Sequence, residues 1–402
     1  MKIAIFHDLP SGGAKRALFE TARRLADDHM VTIFTLSTAN HEFCDIRPYV
    51  KGYQIYKFRP SRLFNSPFGR LNQLQRLRTL SLLQRTSRQI ACDIDNGNFD
   101  VVYAHPCMWT QAPNILDYLN TPSVYHIHEP LREVYETPIM RPYHNRGWRD
   151  FLDKVDPLFM LYRRQLVRMD LRSTLNASMV LANSKFTAAN VEKIYGRHAE
   201  VAYFGVDSDI FQPQSGSIKG NFILSVGAIR PNKGFDFIVE SISKIPPANR
   251  PSLRIVGNAA DPREIDYLMR LANGYEVDLV VETEVSNEIL VNRYRQACFF
   301  VYAPLLEPFG LSPIEAMSCG IPVVAVSEGG VKETVLDGST GILTQRDSAA
   351  FAREVEELWC DDQLRMAYGI KAREYVKYYW TWEKSVQKIE EHLFTASKLH
   401  SD

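Results

Sequence analysis

Glu307-Pro308-Phe309-Gly310-Leu311-Ser312-Pro313-Ile314-Glu315-Ala316-Met317-Ser318-Cys319-Gly320-Ile321-Pro322-Val323-Val324-Ala325 reads as a loop, a helix and a strand in succession. The apolar run Phe299–Tyr302 leads into it and Val323–Ala325 closes it. Strand, loop, helix and strand in that order is the unit of a parallel sheet. Ser312 suits an N-cap and Pro313 the first helical residue. The N–H groups around Phe309–Leu311 would then face an anion. Ligands of open parallel sheets bind beyond the carboxyl ends of the strands, which is where Glu307 stands, with Glu315 in the first helical turn. A carboxylate accepts two hydrogen bonds in fixed directions and suits sugar or ribose hydroxyls. A second reading of Glu315 stays open: Ser312-x-x-Glu315 matches a capping box, in which the Glu only satisfies a backbone N–H.

Outward from this stretch, the chain shows the same opening twice. Ile3–Phe6 is followed by the turn Pro10-Ser11-Gly12-Gly13 and a helical pattern from Ala14 to Ala26. Phe222–Gly227 is followed by a loop with Arg230, Lys233 and Gly234, and then by Phe235, Ile238, Val239 and Ile242 at helical spacing. Further buried strands are expected at Val31–Leu36, Val101–Ala104, Ser123–Ile127, Met179–Ala182, Ala199–Phe204, Leu253–Val256 and Leu279–Val281. Alternation with helices predicts an α/β chain of two doubly wound domains. The Gln, Ser, Gly and Pro of Gln212–Gly220 mark a linker, which divides the chain into 1–212 and 213–380. Residues 381–402 carry an amphipathic helix.

Length and composition narrow the function classes. The 402 residues exceed what one hydrophobic core usually supports. Lys plus Arg and Asp plus Glu are both 47, so the formal charge is zero and a globally basic nucleic-acid binder is disfavoured. No apolar run has the length of a membrane span. Met1–Asp8 turns polar too soon for a signal peptide and reads as a first strand. The six cysteines show no close paired spacing. A zinc site or disulfide framework is therefore not expected, and a reducing cytoplasm fits.

The stretch Glu307–Ala325 resembles the Glu-x7-Glu signature of retaining GT-B glycosyltransferases of family 4, the glycosyltransferases group 1. Ser11-Gly12-Gly13 resembles that family's N-terminal Gly-Gly loop, Asn183–Thr187 its N-S-x-F-T segment, and Phe204–Phe211 its N-G-V-D-x-x-x-F segment. Val226–Gly234 resembles its donor-phosphate loop, and Gly329-Gly330-Val331-Lys332-Glu333 completes the series. The resemblance implies two Rossmann-like domains facing a cleft, with the last helix crossing back to the first domain. It implies glycosyl transfer with retention, from a nucleotide sugar held mainly by the C-terminal domain to a glycan or lipid-linked acceptor. Glu307 would hold donor-sugar hydroxyls, Glu315 the ribose, and Phe309, Gly310 and Leu311 the phosphate through their backbone. Arg230 and Lys233 would neutralise the departing diphosphate, Gly12 and Gly13 would let the backbone approach it, and His128 would lie beside the reacting sugar. No metal or other cofactor is implied, because these cations and helix dipoles carry the phosphate charge. Ala228 stands where the family usually has an Arg. That leaves Arg230 as a substitute in altered geometry and makes Lys233 the better-matched cation. Asp156–Asn190 is similar to mannosyltransferase-like members, which puts GDP-mannose first as donor and UDP-sugars next.

Of His126 and His128, at most one is expected to serve a site; the plain alternative is a packed, hydrogen-bonded ring. His105 ends the strand Val101–Ala104. From Arg62 to Cys92 there are six arginines and no acidic residue, with Leu71, Leu74, Leu77, Leu80 and Leu83 at every third position. Two readings stand for Arg62–Arg88: a basic helix docking on an anionic membrane surface, or a solvated face packed on the N-terminal core. The first would place a cytoplasmic protein at the inner face of the membrane. Three rivals share parts of the pattern. A GT-B sugar-nucleotide epimerase should lack the Glu-x7-Glu loop. A dinucleotide oxidoreductase needs Gly-x-Gly-x-x-Gly after the first strand, which Pro10–Gly13 does not supply. An inactive nucleotide-sugar-binding protein would not need Lys233, Glu307 and Glu315 together.

Overall fold

The computed structural model describes residues 1–65, 71–143, 156–214, 216, 219–258 and 260–399. The chain forms two compact units. Unit 1 is Met1–Pro138, His144–Ala202 and Val386–Asp402; unit 2 is Ile139–Tyr143 and Tyr203–Ser385. The crossing at Ala202–Tyr203 comes ahead of the boundary at 212 read from composition. Tyr203, Phe204 and Phe309 pack with Trp380 and Trp382, at ring-centroid distances of 5.1 to 6.2 Å. That aromatic burial draws residues 203–211 into unit 2. Parts of Gln212–Gly220 and of Arg62–Arg88 lie outside the described residues.

Unit 1 is a parallel sheet in the order β3-β2-β1-β4-β5-β6-β7. Its strands are β1 (Lys2–Asp8), β2 (Met30–Leu36), β3 (Gly52–Tyr56), β4 (Val101–Cys107), β5 (Ser123–Ile127), β6 (Met179–Ala182) and β7 (Glu200–Val201). Successive side chains alternate between two cores. Ile3, Ile5, Val31, Ile33, Val101 and Tyr103 bury with Leu18, Ala22 and Leu25 of the helix Gly13–Asp28. Val386, Ile389, Leu393 and Ala396 of the helix Trp382–Lys398 join the same core. Ala4, Phe6, Phe34, Val102, Ala104 and Tyr125 take the opposite face, with Leu80, Leu83, Ile90 and Ile94 of the helix Asn72–Asn96. Both faces are covered, so the strands read as continuous apolar runs. The helix Lys185–Tyr195 shows how local sequence sets an element: Ser184 accepts from Thr187 N at 2.9 Å at its start, and left-handed Gly196 ends it.

Unit 2 repeats the plan in the order β10-β9-β8-β11-β12-β13. The strands are β8 (Phe222–Val226), β9 (Ser252–Val256), β10 (Leu279–Glu282), β11 (Phe300–Tyr302), β12 (Val323–Val326) and β13 (Gly341–Thr344), all paired in parallel. In each unit the strand order reverses beside the first strand, between β1 and β4 and between β8 and β11. Those are the switch points where crevices open at the carboxyl edge. Among the described residues, no helix is long and apolar enough to cross a membrane.

Candidate active site

The carboxyl ends of β8 and β11 carry the two loops singled out in the sequence. After β8 the chain runs through Arg230 into the tight turn Pro231–Lys233 and then into the helix Phe235–Ser243. Gly234 closes the turn at φ +66, and a Cβ there would lie 2.0 Å from the Ala303 carbonyl oxygen, so only glycine allows this approach. Leu305 N donates to Asn232 O at 2.9 Å. These contacts hold the turn after β8 against the exit of β11, and they bring Lys233 to Glu307. Lys233 Nζ donates to Glu307 Oε1 at 2.8 Å and Oε2 at 2.7 Å. The pair is about four-fifths buried, with side-chain exposures of 20% and 18%.

The Glu307 loop is fixed from its other side by Gly329-Gly330. Gly330 N donates to Glu307 O at 2.9 Å. Gly329 sits at φ +67, where a Cβ would come within 2.2 Å of the same oxygen. Arg346, which the sequence reading missed, clamps the root of the loop. It donates to the carbonyls of Ala303 and Pro304 at 3.1 and 2.8 Å and forms a bidentate pair with Glu328 at 2.8 Å.

The helix that follows starts earlier than expected. It spans Leu311–Ser318 with left-handed Gly310 (φ 91) as N-cap and no side-chain cap bond. Ser312 is therefore not the N-cap, and Pro313 is the third helical residue. Proline costs nothing there, because the first-turn N–H groups have no intrahelical acceptor. The Ser312–Glu315 capping box is not formed. Glu315 is buried at 5% exposure and accepts from the Tyr294 hydroxyl at 2.8 Å. Phe309 is 3% exposed within the aromatic cluster, so its side chain belongs to the core and its backbone alone is left to meet a ligand. Arg230 is exposed and extended (φ -141, ψ 156) at the head of the turn.

Two family models match: Glycosyltransferase Family 4 over residues 11–210 and Glycosyl transferases group 1 over 207–375. The chain belongs to the family 4 glycosyltransferases. A D-inositol 3-phosphate glycosyltransferase of Thermomonospora curvata is 24% identical over 96% of this chain and 91% of that one. For several other curated relatives the chain spans only about half of their length, 50% to 59%. The sucrose-phosphate synthase of Thermosynechococcus elongatus shares the fold with a TM-score of 0.74 at 20% identity, covering 98% of this chain and 100% of that one. HepE of Anabaena, solved in complex with UDP-glucose, has a TM-score of 0.70 at 20% identity and the same coverage. The fold is GT-B, with each unit a Rossmann-like domain.

In this glycosyltransferase, unit 1 places the remaining predicted residues at the carboxyl ends of β1, β4 and β5. Gly12 (φ 143) caps the helix that Gly13 begins, and nothing lies within 4 Å of where a Gly12 Cβ would stand. His128 follows β5, is 8% exposed, and its pKa is lowered to about 3 by burial. Its Nε2 lies 3.4 Å from His105 Nδ1, and Asn183 Nδ2 donates to its carbonyl at 3.1 Å. His126, two residues earlier, lies on the same face: its ring centroid is 5.5 Å from that of His128, and its Nδ1 is 2.7 Å from the Tyr103 hydroxyl. Beneath them lies a buried polar layer with no simple sequence signal. Lys15 Nζ is 3.3 Å from His7 Nε2, and burial lowers the Lys15 pKa to about 8. Burial also raises the Asp8 pKa to about 6, against hydrogen bonds from Thr38, Cys107 and Trp109 that lower it.

Proposed function

We propose that the chain transfers a hexosyl group from a nucleoside diphosphate sugar to a glycan or lipid-linked acceptor, with retention at the anomeric carbon and without a metal. The bidentate Lys233–Glu307 pair at the β8/β11 switch point carries this reading. Breaking the sugar–phosphate bond leaves positive charge on the anomeric carbon and negative charge on the diphosphate. Lys233 at the start of the helix Phe235–Ser243 supplies a fixed cation beside helical N–H groups, and Arg230 supplies a second, exposed one. One such preorganised group is worth roughly 3 kcal/mol in the transition state. Glu307 holds donor-sugar hydroxyls and keeps Lys233 aimed. Glu315, with one oxygen held by Tyr294, receives the ribose. The backbone of Phe309, Gly310 and Leu311 faces the phosphate at the start of the helix Leu311–Ser318, and Gly12-Gly13 offers a second backbone approach. His128, neutral because it is buried, serves as a hydrogen-bond partner to the reacting sugar.

GDP-mannose is the first donor candidate and UDP-sugars the next. The exposed arginines of the helix Asn72–Asn96, Arg76, Arg78, Arg85 and Arg88, form the surface that meets anionic lipid, while its other side packs into the core. An epimerase or an inactive binding protein has less support, because Lys233, Glu307 and Glu315 are all present. Thermal-shift screening with UDP, GDP and ADP tests the reading. The matching nucleotide at 100 times its Kd stabilises the protein by about 2.7 kcal/mol, and no shift with any of them would remove the donor-site assignment.

A further inference from the structure

Unit 2 contains five residues that come from far upstream in the chain, Ile139–Tyr143. Their anchor is Arg141, 8% exposed. Its guanidinium forks onto Asp236, with Nη1 to Oδ2 at 2.7 Å and Nη2 to Oδ1 at 3.0 Å. It also meets Glu264, with Nη2 to Oε1 at 2.9 Å and Nε to both oxygens at 3.2 Å. Nη2 further donates to the Pro231 carbonyl at 3.1 Å. The Tyr143 hydroxyl makes a short bond to Glu264, whose side chain is fully buried. None of these residues was singled out as part of the donor site.

Two of the contacts fall on the phosphate-facing loop. Pro231 opens the turn that carries Lys233, and Asp236 lies in the first turn of the helix behind it. An acidic side chain in a first helical turn stabilises the helix. It also lies close to where a diphosphate would be held, and would repel it. A buried ion pair by itself is weak evidence for stability, because apolar residues of similar volume usually serve as well. Burying a guanidinium here therefore points to a task beyond packing.

We infer that Arg141 is a positioning residue for the donor diphosphate: it neutralises Asp236 at the head of the phosphate-binding helix and fixes the Pro231–Lys233 turn through the Pro231 carbonyl. The inference rests on the donor-site reading above. It assigns the substrate's diphosphate, rather than its base or sugar, as the part sensed through Arg141.

The test is calorimetric titration of the full chain with UDP and GDP, and with uridine and guanosine. Arg141→Met is combined with Glu264→Gln, so that no buried carboxylate is left unpaired while Asp236 keeps its charge. For the nucleotide that the native protein binds, affinity for the diphosphate falls about tenfold in this variant, and affinity for the nucleoside stays within twofold. Adding Asp236→Asn restores diphosphate affinity to within about threefold of native. Arg141→Lys, which keeps the charge but loses the fork, weakens diphosphate binding about threefold, and decides the matter if the double variant does not fold. Native-like diphosphate affinity in the folded variants would overturn the role of Arg141, and so would equal losses for nucleoside and diphosphate. If the native protein binds neither diphosphate, the donor-site reading itself fails, and this inference with it.

Discussion

Acidification to pH 5.5 should destabilise unit 1 well before ordinary carboxylates titrate. His7, His105, His126 and His128 are all buried, and burial is the first cause holding each pKa well below 6.5. In the unfolded chain they titrate near 6.5. Below that pH the unfolded state binds protons that the folded state does not, so stability falls as pH falls. Between pH 7.0 and 5.5 this costs a little over 1 kcal/mol per ring, or about 5 kcal/mol for four. Carboxyls whose pKa is raised by burial act in the opposite sense. Burial raises Asp8 and Asp170 to about 6, so the folded state takes up their protons first and gains stability on acidification. Between pH 7.0 and 5.5 that offset is about 1 to 2 kcal/mol for the two, leaving a net loss of about 3 to 4 kcal/mol against a typical stability of about 5 to 15. Urea titration at pH 7.0 and 5.5, followed by the near-UV signal, measures it, and scanning calorimetry separates the two units. His126→Gln should reduce the pH sensitivity by about one proton. Equal stability at the two pH values would refute the argument and mean that these rings protonate within the fold.

Lys233→Ala should cripple turnover, by at least about a hundredfold if the cation contributes roughly 3 kcal/mol, with an unchanged circular dichroism spectrum; near-normal steady-state turnover would remove its role. Glu307→Gln should lower turnover with nucleotide affinity nearly intact, whereas Glu315→Gln should weaken nucleotide binding. Calorimetry with the nucleotide alone separates the two, and equal losses in both variants would collapse that division. Replacing Arg76, Arg78 and Arg85 with Gln should release the protein from anionic vesicles at low salt, with about 1 kcal/mol lost per charge. A native protein that ignores such vesicles in co-sedimentation would leave these arginines a solvated face.

What the sequence disclosed follows the range of the interactions involved. The central strands were legible because both sheet faces are covered, which makes runs such as Val101–Ala104 and Val323–Ala325 apolar throughout. The edge strands Gly52–Tyr56 and Gly341–Thr344 were missed, because a half-buried edge strand needs no such run. The apolar pattern of Ala199–Phe204 suits one strand, but pairing ends at Val201 and the aromatic cluster takes Tyr203 and Phe204. Lys233 and Glu307 were legible as loop residues at strand ends, although their direct pairing across 74 positions was not. Ser312-Pro313 carries a true local preference for a helix start. Gly310, able to take a left-handed conformation beside Tyr302, moved that start forward. Arg141 and Arg346 gave no local signal, since their partners lie up to 123 and 43 positions away.

The Lys233–Glu307 loop is where the transfer chemistry is tested. The most direct measurement incubates the native protein with a panel of nucleotide sugars, GDP-mannose and UDP-glucose first, and follows nucleotide release and the anomeric proton of the product by NMR. At least one donor should release its nucleoside diphosphate, and the product should keep the donor's anomeric configuration, with Lys233→Ala silent in the same assay. Release with inverted configuration would contradict the mechanism, and undiminished release by Lys233→Ala would contradict the site.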